Sequence, residues 1–219
     1  MIQPRQSFGV VAAMLALTGG LSLFGLLEYQ ARQATMTAGF WFDDIDFTFP
    51  GDLDPKFGGH LSPVEIAVIK RVANQEVRRA FRGYRIVISD TPRSFWRVAV
   101  IREMGFKLPW AGATVSLGPL GGLGRVAFTS LAINALSNAP PAATRQEIVV
   151  GIGRGIGHAA IHEFAHQILG SGLLDESSDK TAYECETADR FEQYYGQLHW
   201  TTAIDALDRR IGPRRGGHP

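Results

Sequence analysis

Two histidines and a glutamate stand close together at His162-Glu163-Phe164-Ala165-His166, the pattern H-E-x-x-H. Residues four apart on a helix return to the same face. Both imidazoles can therefore point at one ion, while Glu163, about 100° round the axis, reaches water beside it. These residue types suit metal-assisted hydrolysis: two neutral imidazoles and a third protein ligand hold zinc, the ion acidifies water, and the carboxylate carries the proton to a leaving amine. With six His in 219 residues, the pentapeptide arises by chance in roughly 0.7% of such chains. Ile161, Ala165, Ile168 and Leu169 make the rest of the helix surface apolar. The His pair is thus expected in a cleft beside a packed helix. The plainer alternative is a core helix with two hydrogen-bonded histidines.

The helix that must present these groups has a readable start and end. Thr144-Arg145-Gln146-Glu147 is a capping box, and IVVGIGRGIGHAAIHEFAHQILG runs from there to Gly170. Gly151, Gly153, Gly155 and Gly157 each weaken a helix interior by about 1 kcal/mol relative to Ala, so they imply a broken start or close packing against a neighbour. They miss the dinucleotide pattern G-x-G-x-x-G, and GPLGGLGR lacks the Lys of a phosphate loop. Nucleotide binding is therefore discarded.

The segment IHEFAHQIL resembles the active-site helix of the zincin metallopeptidases. The resemblance implies an α+β domain with a small mixed sheet, a Zn2+ cofactor, His162 and His166 as ligands, Glu163 as general base, and a third ligand downstream. Metzincins place G-x-x-H or G-x-x-D three residues after the second His, where Leu169 stands here. Gluzincins are more similar, because they carry a Glu on the next helix. Ser178 to Arg190 is expected to form that helix, and Glu186, twenty residues after His166 as in thermolysin-like enzymes, is the expected third ligand. Asp179, which with Tyr183 resembles the aspartate-ligand zincins, and Glu184 are the alternatives. Asp189 would then orient a ligating imidazole, although it follows Glu186 by three residues rather than the family's four. His199 and Tyr183 are candidates to stabilise a transition-state oxyanion. Cys185 reads more simply as a small buried thiol.

Upstream, Ser62-Pro63-Val64-Glu65 is another capping box, opening a helix with a stripe at Ile66, Ile69, Ala73, Val77, Ala80 and Phe81 that ends at Gly83. Tyr84 to Ser89 and Phe95 to Ile101 read as strands, Leu108 to Gly124 as a long loop, Arg125 to Ile133 as a strand, and Thr201 to Ile211 as a last helix. Leu61 to Lys107 holds ten Lys+Arg against four Asp+Glu, a pattern that usually marks a solvated face. Residues 39–60 form an acidic, aromatic lead-in with five Asp, lacking the order of a calcium loop. The metallopeptidase domain is expected over 61–212, followed by a basic tail, 213–219.

Residues 1–38 are expected to form a membrane anchor or signal segment. Phe8 to Leu27 contains twenty residues without a charge, enough to cross a hydrocarbon core as one helix. Arg5 before it favours the N-terminus inside and the domain in the periplasm or outside the cell. Apolar content of 45% and a net charge of +1 exclude disorder as the main state, and one Cys excludes an internal disulfide. The near-neutral balance also gives no case for a nucleic-acid partner. The expected function is a membrane-anchored zinc endopeptidase acting on protein or peptide. The alternatives are a non-catalytic envelope module with a structural zinc site and an enzyme acting on a cell-wall amide.

Overall fold

The computed structural model describes residues 36–48, 57, 59–104, 111–116, 121–170 and 177–212. The chain divides into two compact units, Met1–Thr35 and Met36–Pro219, and every described residue belongs to the second. The expected anchor at Phe8 to Leu27 and the basic tail lie outside the described residues. Among the described residues no helix is long and apolar enough to cross a membrane.

The elements run β1 (Met36–Phe42), α1 (Pro63–Ala80), β2 (Ile86–Ser89), β3 (Trp96–Ile101), β4 (Gly112–Ser116), β5 (Gly122–Ala127), α2 (Phe128–Ser137), α3 (Arg145–Leu169), α4 (Phe191–Tyr195) and α5 (Ile204–Ile211). They form an α+β fold on one mixed five-stranded sheet, ordered β2-β1-β3-β5-β4. All neighbours are parallel except β4, which pairs antiparallel with β5 at the edge. Register sets the residue rows across the sheet: Ala38, Trp96, Gly122 and Ser116 in one, Phe40, Val98, Gly124 and Thr114 in the next, and Phe42, Val100, Val126 and Gly112 in a third. Because side chains alternate along a strand, all three rows share one face. That face carries Phe40, Phe42, Trp96, Val98 and Val100 over β1 and β3, but Gly122 and Gly124 over β5, where α3 comes down.

Helix α3 is central, which is why it is apolar almost all round. Its glycines meet neighbours on two sides, as expected from close packing. At Gly153 an added Cβ would lie 2.9 Å from the Ile69 carbonyl oxygen, and at Gly157 2.9 Å from that of Ala73, both on α1. Gly151 and Gly155 face the rings of Tyr195 and Tyr194 on α4. Gly170, at φ 86°, ends the helix with its N–H donating to the His166 carbonyl.

Both capping boxes form, at Ser62 with Glu65 and at Thr144 with Glu147. Arg145 joins the two helix starts. Its Nε lies 2.6 Å from Glu65 Oε1, its Nη atoms donate to the Phe57 and His60 carbonyls at 2.7 Å, and its guanidinium sits 4.2 Å from the Phe57 ring centroid. The bond from Arg145, helped by Ser62 and opposed by burial, holds the Glu65 carboxyl at about 2 instead of 4.5. A depressed carboxyl stabilises the fold above its unfolded pKa and loses that contribution as pH falls through the folded one. Charge-assisted bonds contribute about 1.5–3 kcal/mol, and partial exposure reduces this to ~1 kcal/mol, or about 2–4 °C. Glu65→Gln should therefore melt lower than wild type at pH 7. The difference should close between about pH 4.5 and 2. Melting curves with a constant gap down to the lower pH would contradict it.

The structure corrects four expectations. The lead-in contributes the interior strand β1, between β2 and β3, and Phe40 and Phe47 enter the core. The segment from Leu108 to Gly124 carries β4 and the start of β5. Arg125 to Ile133 ends a strand and then turns helical, since Phe128, Leu131, Ala132 and Ala135 bury one helix face. Ser178 to Arg190 is not a helix, because its polar groups are engaged elsewhere. Asp179 accepts from Thr181 N–H and Oγ1, Ala182 bridges His199, and Arg190 donates to the carbonyls of Ala182 and Cys185.

Candidate metal centre

Two i, i+4 pairs on α3 divide the work. Glu163 and Gln167 point down onto the sheet, both buried, over Gly112, Gly122 and Gly124. His162 and His166, one residue back around the helix, face a cavity of about 560 Å³. Small residues on the sheet decide this arrangement. A Cβ at Gly112 would overlap the Glu163 carboxylate, and one at Gly124 would lie 3.0 Å from both Glu163 Cβ and Gln167 Nε2.

The imidazoles face each other, with His162 Nε2 and His166 Nε2 3.0 Å apart and the rings crossing at 85°. Two nitrogens bound to one tetrahedral zinc at about 2.0–2.1 Å lie about 3.3 Å apart, so the pair is close to the spacing an ion requires. His162 Nδ1 is 2.9 Å from the Tyr183 carbonyl oxygen. A carbonyl can only accept, so Nδ1 carries the proton and Nε2 presents its lone pair to the shared point. Tyr183 is held in turn, its N–H donating to the His199 carbonyl at 3.0 Å.

His158 adds a third imidazole to the same helix face, completing H-x-x-x-H-x-x-x-H. The four-residue spacing of His158, His162 and His166 is itself a sequence signal for this third ring. Its Nδ1 donates to the Gln193 carbonyl at 2.6 Å, and its Nε2 lies 3.5 Å from Glu76 Oε2. Burial pushes His158 below the usual imidazole range, although Glu76 favours the charged ring. Burial also opposes the Glu76 charge. His158 and Arg79, at 2.5 Å, with Arg154 nevertheless bring the carboxyl below its ordinary value. His158 is therefore a structural imidazole at the cavity wall, held between the Gln193 carbonyl and the Glu76 carboxyl.

The expected third ligands separate clearly. Glu184 is buried and accepts at 2.8 Å from the backbone N–H groups of Thr201 and Ala203. Asp179 is exposed, bonded to Thr181, and does not line the cavity. Glu186 is exposed on the cavity wall beside Cys185, together with Asp189. Asp189 accepts from Asn138 Nδ2 at 2.9 Å, and the orienting role expected of it is taken for His162 by the Tyr183 carbonyl. His199 is exposed away from the cavity, whereas Tyr183 lines it with its ring 4.8 Å from that of Trp200. Among the described residues no third His, Cys, Asp or Glu is grouped with the imidazole pair at ligand spacing.

Strand β4 borders the cavity through Gly112, Ala113, Thr114 and Ser116. It pairs with β5 alone, so its other edge is open among the described strands. Strand β5, by contrast, is paired on both sides. No family model matches the chain, and no curated protein is significantly similar to it.

Proposed function

We propose that the chain is a zinc-dependent endopeptidase of zincin type that hydrolyses peptide bonds in proteins or peptides. The observation carrying this reading is the pair of Nε2 atoms 3.0 Å apart, one of them set in its metal-binding tautomer by the Tyr183 carbonyl. The donor chemistry fits zinc, with His162 and His166 as ligands and Glu186, on the same cavity wall, as the third. When bound, the ion would supply Lewis acidity, lowering the pKa of water at its open position and polarising a carbonyl.

This chain's own residues do the rest. Glu163 takes a proton from water and returns it to the departing amine. The buried site beneath Gly112 keeps its carboxylate on the sheet side of the imidazoles. An extended peptide can add to the open edge of β4, gaining main-chain hydrogen bonds along the cavity. The apolar stretch Phe8 to Leu27 supports a single-pass location with the domain outside the cytoplasm. A reporter fused after Pro219 and active only in the cytoplasm would reverse that topology.

The test of the metal reading is elemental analysis of the purified chain after equilibration with zinc, where one zinc per chain is expected. Glu186→Gln should then weaken zinc binding at least tenfold and lower the melting temperature of the loaded protein, because binding free energy adds to folding free energy. No stoichiometric metal in the wild type would overturn the proposal. Zinc retained by Glu186→Gln and lost by Asp179→Asn would move the third ligand to Asp179.

A further inference from the structure

We infer that Gln167 is a positioning residue that sets the depth of edge strand β4 over Glu163, an inference that rests on the peptidase reading. Gln167 follows the second histidine of the motif and its side chain is fully buried. Its Oε1 accepts from Arg97 N–H at 2.9 Å, and its Nε2 donates to the Arg97 carbonyl and to Thr114 Oγ1, both at 3.0 Å. One amide thus pairs with both main-chain groups of Arg97 on β3 and still reaches across to β4. Only an amide offers one acceptor and two donors in a plane, and a carboxylate of the same shape would lack both donors.

The sheet makes room for this brace. A Cβ at Gly122 would lie 2.8 Å from Gln167 Cδ, and one at Gly124 3.0 Å from its Nε2. Ser116 Oγ also donates to the Gln167 main-chain carbonyl at 3.4 Å. Strand β4 therefore meets α3 at each of its inward positions: Gly112 at Glu163, Thr114 at the Gln167 side chain and Ser116 at the Gln167 backbone. An edge strand with one neighbour has little else to fix its height. A peptide laid along β4 takes its height from that strand, while Glu163 and the imidazoles take theirs from α3. Gln167 ties the two frames together one helical turn beyond Glu163.

The test uses the Thr114 hydroxyl, because removing it leaves the Gln167 pairing with Arg97 and hence the core in place. Thr114→Val substitutes a methyl that cannot accept a hydrogen bond and needs more than 3.0 Å from Nε2. It should lower kcat roughly tenfold on a generic unfolded protein substrate with KM changed less than about twofold, and leave zinc content unchanged. Thr114→Ser keeps the hydroxyl and should stay within about twofold of wild-type kcat. Hydrogen exchange of the full chain should show Gly112–Ser116 amides exchanging about tenfold faster in Thr114→Val, with α3 unaffected. Unchanged exchange and kcat in Thr114→Val would overturn the inference, as would equal losses in the Ser and Val variants. If zinc-loaded wild type cuts no substrate, the peptidase reading falls, and the exchange result alone decides whether the brace exists.

Discussion

Glu163→Gln should reduce peptide hydrolysis by about 10²–10⁴-fold while zinc content and melting temperature stay at or slightly above wild type. The substitution preserves the shape of a buried side chain packed against Gly112 and touches neither imidazole. A neutral amide at this 5% exposed position costs no more to bury than the carboxyl it replaces. On the proposed function, what is lost is the group that would move the proton between water and the amine. Activity assays on a denatured protein substrate, alongside metal analysis and thermal melts, read the three quantities independently. Hydrolysis at wild-type rates by Glu163→Gln would sink the enzymatic role of the motif and leave the His pair a purely structural site. Loss of zinc together with activity would instead show that Glu163 supports the ligands.

Gly155→Ala should destabilise the fold by about 2 kcal/mol, or about 4–8 °C, although Ala favours a helix over Gly by ~1 kcal/mol. The added methyl would run into the Tyr194 ring, with Cδ1 at 2.5 Å. The ring cannot move aside cheaply, because it is fully buried and its hydroxyl donates to the Ala188 carbonyl at 2.9 Å. The displacement would pass to the neighbouring Gln193, whose carbonyl holds His158 and whose side chain donates to the Gly155 carbonyl. Gly151→Ala should be milder, since its methyl would meet the half-buried Tyr195 ring at 2.9 Å or more. A thermal melt in which Gly155→Ala matches or exceeds wild type would show that α3 and α4 are not in this contact.

Local chemistry explains which parts of this protein are readable from its residues. The capping boxes at Ser62 and Thr144 depend on side chains three residues apart, so both helix starts follow from the sequence alone. The H-E-x-x-H spacing fixes which groups share a helix face, and strand β2 alternates as it buries, whereas β3 buries Val98, Ala99 and Val100 in succession. The four helix glycines announce close neighbours without saying which, because the partners, α1 and the two tyrosines of α4, are remote in sequence.

Tertiary structure decided the rest where side-chain hydrogen bonds, some within the segment and some to distant backbone, outweighed helical preference. Helical spacing among Ala182, Cys185 and Glu186 pointed to a ligand helix, yet Asp179, Glu184 and Arg190 are engaged with Thr181, with the backbone of Thr201 and Ala203, and with the Ala182 and Cys185 carbonyls. Short strands such as β4 carry too little periodicity to stand out from Gly-rich chain and exist because β5 and Gln167 hold them. The sequence by itself determined the two imidazoles and the carboxylate, since four residues on a helix suffice to gather them. Only the folded chain decided that the Tyr183 carbonyl orients His162, that β4 forms the cavity's edge and that Glu186 rather than Glu184 or Asp179 lines it, because each depends on segments that meet only through the sheet and the core.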